Sequence, residues 1–523
     1  MQWNNARLLV VAMACALPAA AQSVLSVTES CATQDLYGWK VAFVGDTDGD
    51  GVSEFAACAV EGQRIYVHDG TDSSVKLKLK PTILSSNGYG SSADGADWDG
   101  DGLADIAIGS NVVEKVRLVR GLDGAPIAEW SGLAANLTVV GDVDADGVPD
   151  LLCGQDGVSG VSSPGLANLY SAASGATVFS HTGAHSSDNL GWAIAGIGDI
   201  DGDAVPDYVL GVPGDDSLAN DGGAVEVRSG ADGSLVWRVA GSAKNRKLGS
   251  SVAPVGDVDL DGTPDLVAGA PGGGPIVDQP GSYALVQSGA DGSTITGLYA
   301  PPGTYQYGFA AAGPGDVTGD GHPDVLLRLI TLTVGRLDLV DGVTGATGFS
   351  FIVDELGLPD PFQGSLDAGQ DLNADGAADL LASWMDVPPE SGRVFLISTV
   401  DLPWEHLGHA LSGTQGKPVL RAEGPLVAGE PVTLHVAQAL ASTTTWMVVG
   451  LAAIELPFKG GVMVPSVDVL LPFATDAAGK LVLTGPWPAG VPAGFASYFQ
   501  AWTSDAGGPA GWSATNALLA ESP

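Results

Sequence analysis

A nine-residue acidic pattern, D-x-[DNT]-x-D-[GA]-x-x-[DE], is written seven times along this chain of 523 residues. The copies open at Asp46, Asp97, Asp142, Asp199, Asp257, Asp316 and Asp371, at steps of 51, 45, 57, 58, 59 and 55 residues. A loop that recurs at a near-constant step marks one supersecondary unit repeated, and it restricts the chain to repeat architectures. The stretches between loops share a grammar too. A segment such as Leu248-Gly249-Ser250-Ser251-Val252 leads into the loop at Asp257, and the apolar run 265–272 follows. An alternating strand over 283–286, a hairpin turn at Ser288-Gly289-Ala290-Asp291-Gly292 and a last strand over 293–298 close the unit. Four short strands per unit with no sustained helical period predict an all-β chain. Seven such antiparallel units predict a seven-bladed β-propeller, which protects its sheet edges by radial closure.

Within each loop, carboxylates on alternate residues, a glycine turn and a further acid four residues on suit a hard cation. Positions 1, 3 and 5 supply side-chain oxygens, position 7 a carbonyl and position 9 a carboxylate; calcium fits best because it accepts six to eight oxygens in irregular geometry. The expected ligands are Asp46, Asp48, Asp50 and Glu54; Asp97, Asp99, Asp101 and Asp105; and Asp142, Asp144, Asp146 and Asp150. They continue with Asp199, Asp201, Asp203 and Asp207; Asp257, Asp259, Asp261 and Asp265; Asp316, Thr318, Asp320 and Asp324; and Asp371, Asn373, Asp375 and Asp379. Up to seven Ca2+ sites of unequal affinity are expected. The loops opening at Asp97, Asp142 and Asp257 hold four acids with glycine in place and should bind most tightly. Glu54 brings a longer arm, Thr318 and Asn373 each remove a charge, and Ala204 stands at the turn, where a positive φ would cost roughly 1 kcal/mol. An EF-hand is excluded because its twelfth position is Ala57 in the first loop and Ile108 in the second.

The net charge of −40 argues against nucleic acid and anionic lipid surfaces as partners. The seven loops hold 26 of the 61 acidic residues, so much of this charge is local. Residues 1–21 read as a secretory signal: Arg7, an apolar run over 8–18 and the small residues Ala19-Ala20-Ala21. That run is too short to span a membrane, and no later stretch of 18 apolar residues exists. The expected location is secreted or at the cell surface. Cys31, Cys58 and Cys153 remain after cleavage, an odd number that allows one internal bridge, for which Cys31 with Cys58 is the expected pair.

Further elements resemble the FG-GAP repeat of integrin α-chain propellers and of bacterial extracellular proteins. The FG element is Leu190-Gly191-Trp192, Leu248-Gly249 and Tyr307-Gly308-Phe309; the GAP element is Gly211-Val212-Pro213-Gly214 and Gly269-Ala270-Pro271-Gly272. The resemblance covers residues 23–399, with departures: Leu133-Ala134 replaces the expected glycine in the third repeat, and the first two repeats lack a GAP tripeptide. It implies that calcium staples the loops of one face while the opposite face meets the partner.

The spacing also predicts how the ring closes. Residues 23 to 46 span the same length as 234 to 257, and the seventh unit lacks a last strand, so residues 23–28 are expected to complete the last blade. The propeller then occupies 22–402. Over 403–523 the loops stop and strands are expected at 431–436, 445–451, 467–471, 480–484 and 497–502, a small C-terminal β-sandwich.

No H-E-x-x-H, G-x-S-x-G or catalytic cysteine pattern is present. His181 and His185 read as a solvated loop, and Trp39 and Trp192 as blade packing. A pair of glycosidase carboxylates need not be close in sequence, so a polysaccharide lyase or hydrolase stays open, as does a structural role in a cell envelope. The leading expectation is a secreted, monomeric, calcium-binding propeller that binds an extracellular protein or polysaccharide ligand without catalysis.

Overall fold

The computed structural model describes residues 24–29, 35–80, 89–110, 114–155, 163–272, 281–301, 304–331, 335–352, 364–372, 378–385, 392–399, 404–423, 426–429, 431–492 and 494–522. The expected signal at 1–21, Cys31, Asn373 and Asp375 lie outside the described residues. What is described is all-β, with one short 3-10 turn at Pro509–Gly511.

Each acidic loop joins the inner and second strands of an antiparallel sheet consistent with a propeller blade. In the first, Tyr37–Gly45 runs into the Asp46 loop, Glu54–Ala59 returns, and Arg64–His68 and Val75–Leu79 follow. The second holds Tyr89–Ala96, Asp105–Ser110, Lys115–Val119 and Pro126–Ser131; the third Asn136–Gly141, Asp150–Gly154, Leu166–Tyr170 and Thr177–Thr182. The fourth holds Ile194–Gly198, Asp207–Val212, Ala224–Arg228 and Leu235–Ala240; the fifth Ser251–Gly256, Asp265–Ala270, Tyr283–Gln287 and Thr294–Tyr299. In the sixth, Asp324–Thr331 pairs with Ala311–Gly315 and a short Thr304–Tyr305, then with Gly335–Asp341, which pairs with Thr347–Ile352. The seventh runs Leu366–Gln370, Asp379–Met385 and Gly392–Ile397, and its outer strand is Val24–Glu29 from the start of the chain.

The second strands of the first five sheets are buried at every residue. This explains their unbroken apolar runs: both faces of each strand are covered by neighbouring sheets. The cores lie between consecutive sheets. Val44, Ile65 and Ile106 join the first to the second, and Val225, Leu266 and Ala268 the fourth to the fifth. Tyr37, Phe55, Leu25, Leu381 and Leu396 join the seventh back to the first. The inner strand of each sheet packs beside those of its two neighbours, and that of the seventh beside that of the first.

Beyond residue 403, a five-stranded sheet (Trp404–Gly408, Trp512–Glu521, Ala496–Ser504, Thr444–Gly450, Val469–Ala474) faces a three-stranded one (Val419–Glu423, Pro431–Ala437, Leu481–Pro486). They share a core of Leu420, Val436, Met447, Phe499 and Leu518. The predicted strands agree with these to within two or three residues at each end.

Two local expectations are corrected. Cys58 is a free thiol, wholly buried in Glu54–Ala59, and burial pushes its pKa up to about 12. In this second strand it packs between two sheets, which its apolar neighbours already signalled. His181 lies on the strand Thr177–Thr182, not in a loop, and its Nε2 meets the Tyr208 hydroxyl at 2.7 Å. Burial, reinforced by the Arg228 charge, holds its pKa down at about 4.

Candidate functional site

Each of the first six loops folds around its first carboxylate. In the fifth, Asp257 Oδ1 accepts from the amide of Asp261 at 3.0 Å and its Oδ2 from that of Gly262 at 2.9 Å. Asp261 Oδ1 in turn accepts from the amide of Thr263 at 2.8 Å. The same bonds recur at Asp142, Asp199 and Asp316, and the bond from position 6 to position 1 also at Asp46 and Asp97. Position 6 takes φ from 88° to 94° where it is Gly51, Gly102, Gly147, Gly262 or Gly321, and φ of 70° where it is Ala204. The loop shape is therefore set by these carboxylate–amide bonds together with the positive φ at position 6, and the side chains at 1, 3 and 5 converge. In Asp46-Asp48-Asp50, Asp97-Asp99-Asp101, Asp142-Asp144-Asp146 and Asp199-Asp201-Asp203, one oxygen from each residue lies within 4.8 Å of the others.

Position 9 behaves differently. Asp105, Asp150, Asp207, Asp265, Asp324 and Asp379 are almost wholly buried and stand outside those groups of three. Their carboxylates accept amides from position 2: Trp98 to Asp105 at 2.9 Å, Val143 to Asp150 at 2.9 Å, Ile200 to Asp207 at 2.8 Å, Val258 to Asp265 at 2.7 Å, Val317 to Asp324 at 2.7 Å and Leu372 to Asp379 at 2.8 Å. In four sheets the other oxygen accepts an amide of the third-to-fourth-strand hairpin, from Gly121, Ala172, Gly230 or Gly289. Burial pushes Asp150 and Asp265 up to about 6 against the pull of these amides, and the charges of Asp144 and Asp259 add to the rise. A carboxylate has four lone-pair sites, so two amide bonds leave it capacity to share with an ion. All-oxygen donors crowded by like charge fit a hard divalent cation, which would supply charge neutralisation and cross-link the loop. Thr318 turns its hydroxyl to Asp324 Oδ1 at 3.3 Å. In the seventh loop only Asp371, Leu372, Ala378 and Asp379 are described.

The first loop departs from this scheme. Glu54 Oε2 accepts from the amide and hydroxyl of Thr47, at 2.7 and 2.6 Å. Its Oε1 receives the Lys76 ammonium at 2.8 Å, and the same ammonium pairs with Asp48. Sequence reasoning passed over Lys76 and Asp69, because a lysine in Val75–Leu79 alternates with apolar residues as an exposed strand face would.

At the opposite ends of the inner strands, a cavity of about 350 Å³ opens, lined from all seven sheets by residues that include Trp39, Asn136, Trp192, Ser250, Phe309 and Ser365. Trp39 and Trp192 are therefore rim residues here, and Trp192 is 39% exposed. Their equivalent places in the repeat put both at the mouth, since every inner strand starts there.

A family model described as the FG-GAP repeat matches residues 248–286, the stretch from Leu248-Gly249 through the Asp257 loop to Val286. Among curated proteins the chain is similar to integrin alpha-V of Gallus gallus, 27% identical over 205 residues, which is 36% of this chain and 19% of that protein. It is also similar to integrin alpha-PS2 of Drosophila melanogaster, 29% identical over 211 residues, 33% of this chain and 14% of the relative. The chain thus spans less than a fifth of either relative. The repeated loop, the glycine pairs and these matches agree: the chain carries the FG-GAP repeat and is similar to integrin α chains.

Proposed function

We propose that this protein is a secreted or cell-surface, calcium-stabilised seven-bladed β-propeller over 22–402, carrying a C-terminal β-sandwich over 403–523. It acts as a monomer and binds an extracellular protein or polysaccharide without turning it over. The strand Val24–Glu29, seated on Gly392–Ile397, closes the ring by joining both ends of the repeat array in one sheet. Calcium at the acidic loops neutralises the converging carboxylates on one face.

The observation that carries the binding role is the cavity at the other face. Its rim brings the rings of Trp39, Trp192 and Phe309 together with the amide of Asn136, serine hydroxyls and Lys40. Aromatic faces stack on sugar rings or apolar side chains, and the polar groups orient what is stacked. The similarity to integrin α chains supports the same division between a metal face and a ligand face. The test is a glycan and protein binding screen on the calcium-loaded mature chain, with reducing-end and unsaturated-product assays on acidic polysaccharides run in parallel. Retention without turnover is the expected result; turnover of a retained polysaccharide would replace the binder with an enzyme.

A further inference from the structure

Each of the seven outer strands contains a one-residue bulge near its start, just after the hairpin in the first six sheets. The extra residue of a bulge is re-aimed out of the regular alternation, so it reaches a place the pleat would not otherwise serve. In six sheets this residue is Ile127, Val178, Val236, Ile295, Gly348 or Leu25. Ile127, Val178, Val236, Ile295 and Leu25 pack into the cores between sheets. In the first sheet it is Lys76.

Its ammonium is held by Asp48, by Glu54 Oε1 at 2.8 Å and, at 3.7 Å, by Asp69 Oδ2. Glu54 is fully buried and Asp69 nearly so, and Lys76 keeps only 19% of its side chain exposed. The first repeat is also the one that carries Glu rather than Asp at position 9. The longer arm and the lysine belong together: the carboxylate extends to meet an ammonium where other repeats offer a hairpin amide. Asp69 then passes the chain of charges on, since Lys480 of the C-terminal region meets Asp69 at 3.2 Å and Asp72 at 2.7 Å.

We propose that the first loop carries its own cation: Lys76 replaces the divalent ion there, and with Asp69 and Lys480 forms a metal-independent joint between the first sheet and the C-terminal region. One ammonium, fixed by covalent attachment, supplies the charge compensation that the other loops draw from solution. The role assigned to the other loops rests on the calcium reading above, whereas the role of Lys76 does not.

Hydrogen exchange of amides 46–54, followed by mass spectrometry on the full chain with calcium or with chelator, tests this. In the native protein these amides should exchange at the same rate in both conditions, while those of 142–150 and 257–265 exchange faster in chelator. In Lys76→Met the 46–54 amides should exchange roughly tenfold faster in chelator and slow again when calcium is added. Chelator-sensitive exchange of 46–54 in the native protein would overturn the proposal, as would an unaltered rate in Lys76→Met. If no loop responds to chelator, the calcium reading fails, and Lys76→Met still decides the role of the lysine. Asp48→Asn offers a second route should Lys76→Met not fold. The number of calcium ions retained per chain should stay as in the native protein, and loss of one would overturn the proposal.

Discussion

At the scale of single residues, Ala204 isolates the conformational cost of the loop. It holds φ of 70° where five other loops place glycine, and at those glycines an added Cβ meets nothing within 4 Å. The penalty is therefore backbone strain alone, and Ala204→Gly should stabilise the protein by roughly 1 kcal/mol in denaturant unfolding, with Gly147→Ala costing about the same. Asp265 has a titration to test. Its folded pKa, raised to about 6 by burial, stands above the ordinary 3.8, so its contribution is fully present below pH 3.8 and is lost as pH rises through 6. In chelator, the stability of the native protein relative to Asp265→Asn should fall from pH 4 to pH 7. Excess calcium should remove that fall, because an ion favours the ionised carboxylate.

At the scale of elements, the glycine pairs explain how one sheet lies on the next. A Cβ on Gly269 would stand 1.9 Å from the carbonyl oxygen of Gly308 in the following sheet, and one on Gly211 would stand 2.1 Å from that of Gly249. Gly249 and Gly308 hold φ of 85° and 77°, which turns those carbonyls toward the neighbour. Gly269→Ala should therefore cost roughly 2–3 kcal/mol, read as a lower denaturant midpoint, since backbone rather than a flexible side chain has to yield. Ala134 in the third repeat still presents its carbonyl to Gly109, so the departure there leaves the contact in place. In the sixth repeat Arg328 fills the glycine slot, donating Nη1 to Gly364 O at 2.8 Å and lying 4.3 Å over the Trp384 ring. The four-strand unit and the acidic loops were legible because they repeat, so each copy corroborates the rest. Lys76 was not, because it differs from its counterparts only once strand pairing aligns it with Ile127 and Val178. The mouth was hidden for a similar reason: its lining comes from seven separate segments, none with a motif of its own.

At the scale of the whole molecule, a chain with net charge −40 places the six acidic loops described in full at one end of its inner strands. The pair Val24 and Ile397 brings the start of the repeat array beside its end in one sheet. In the proposed function, bound calcium holds the sheets together while the first loop relies on Lys76. Each occupied site contributes about 2.7 kcal/mol at a calcium concentration a hundredfold above its dissociation constant. The most direct test is the thermal unfolding midpoint of the mature chain in chelator and again after calcium is restored in excess. The midpoint should be lower by roughly 10 °C or more in chelator and regained on adding calcium; the same midpoint in both conditions would rule out calcium as the stabilising ion.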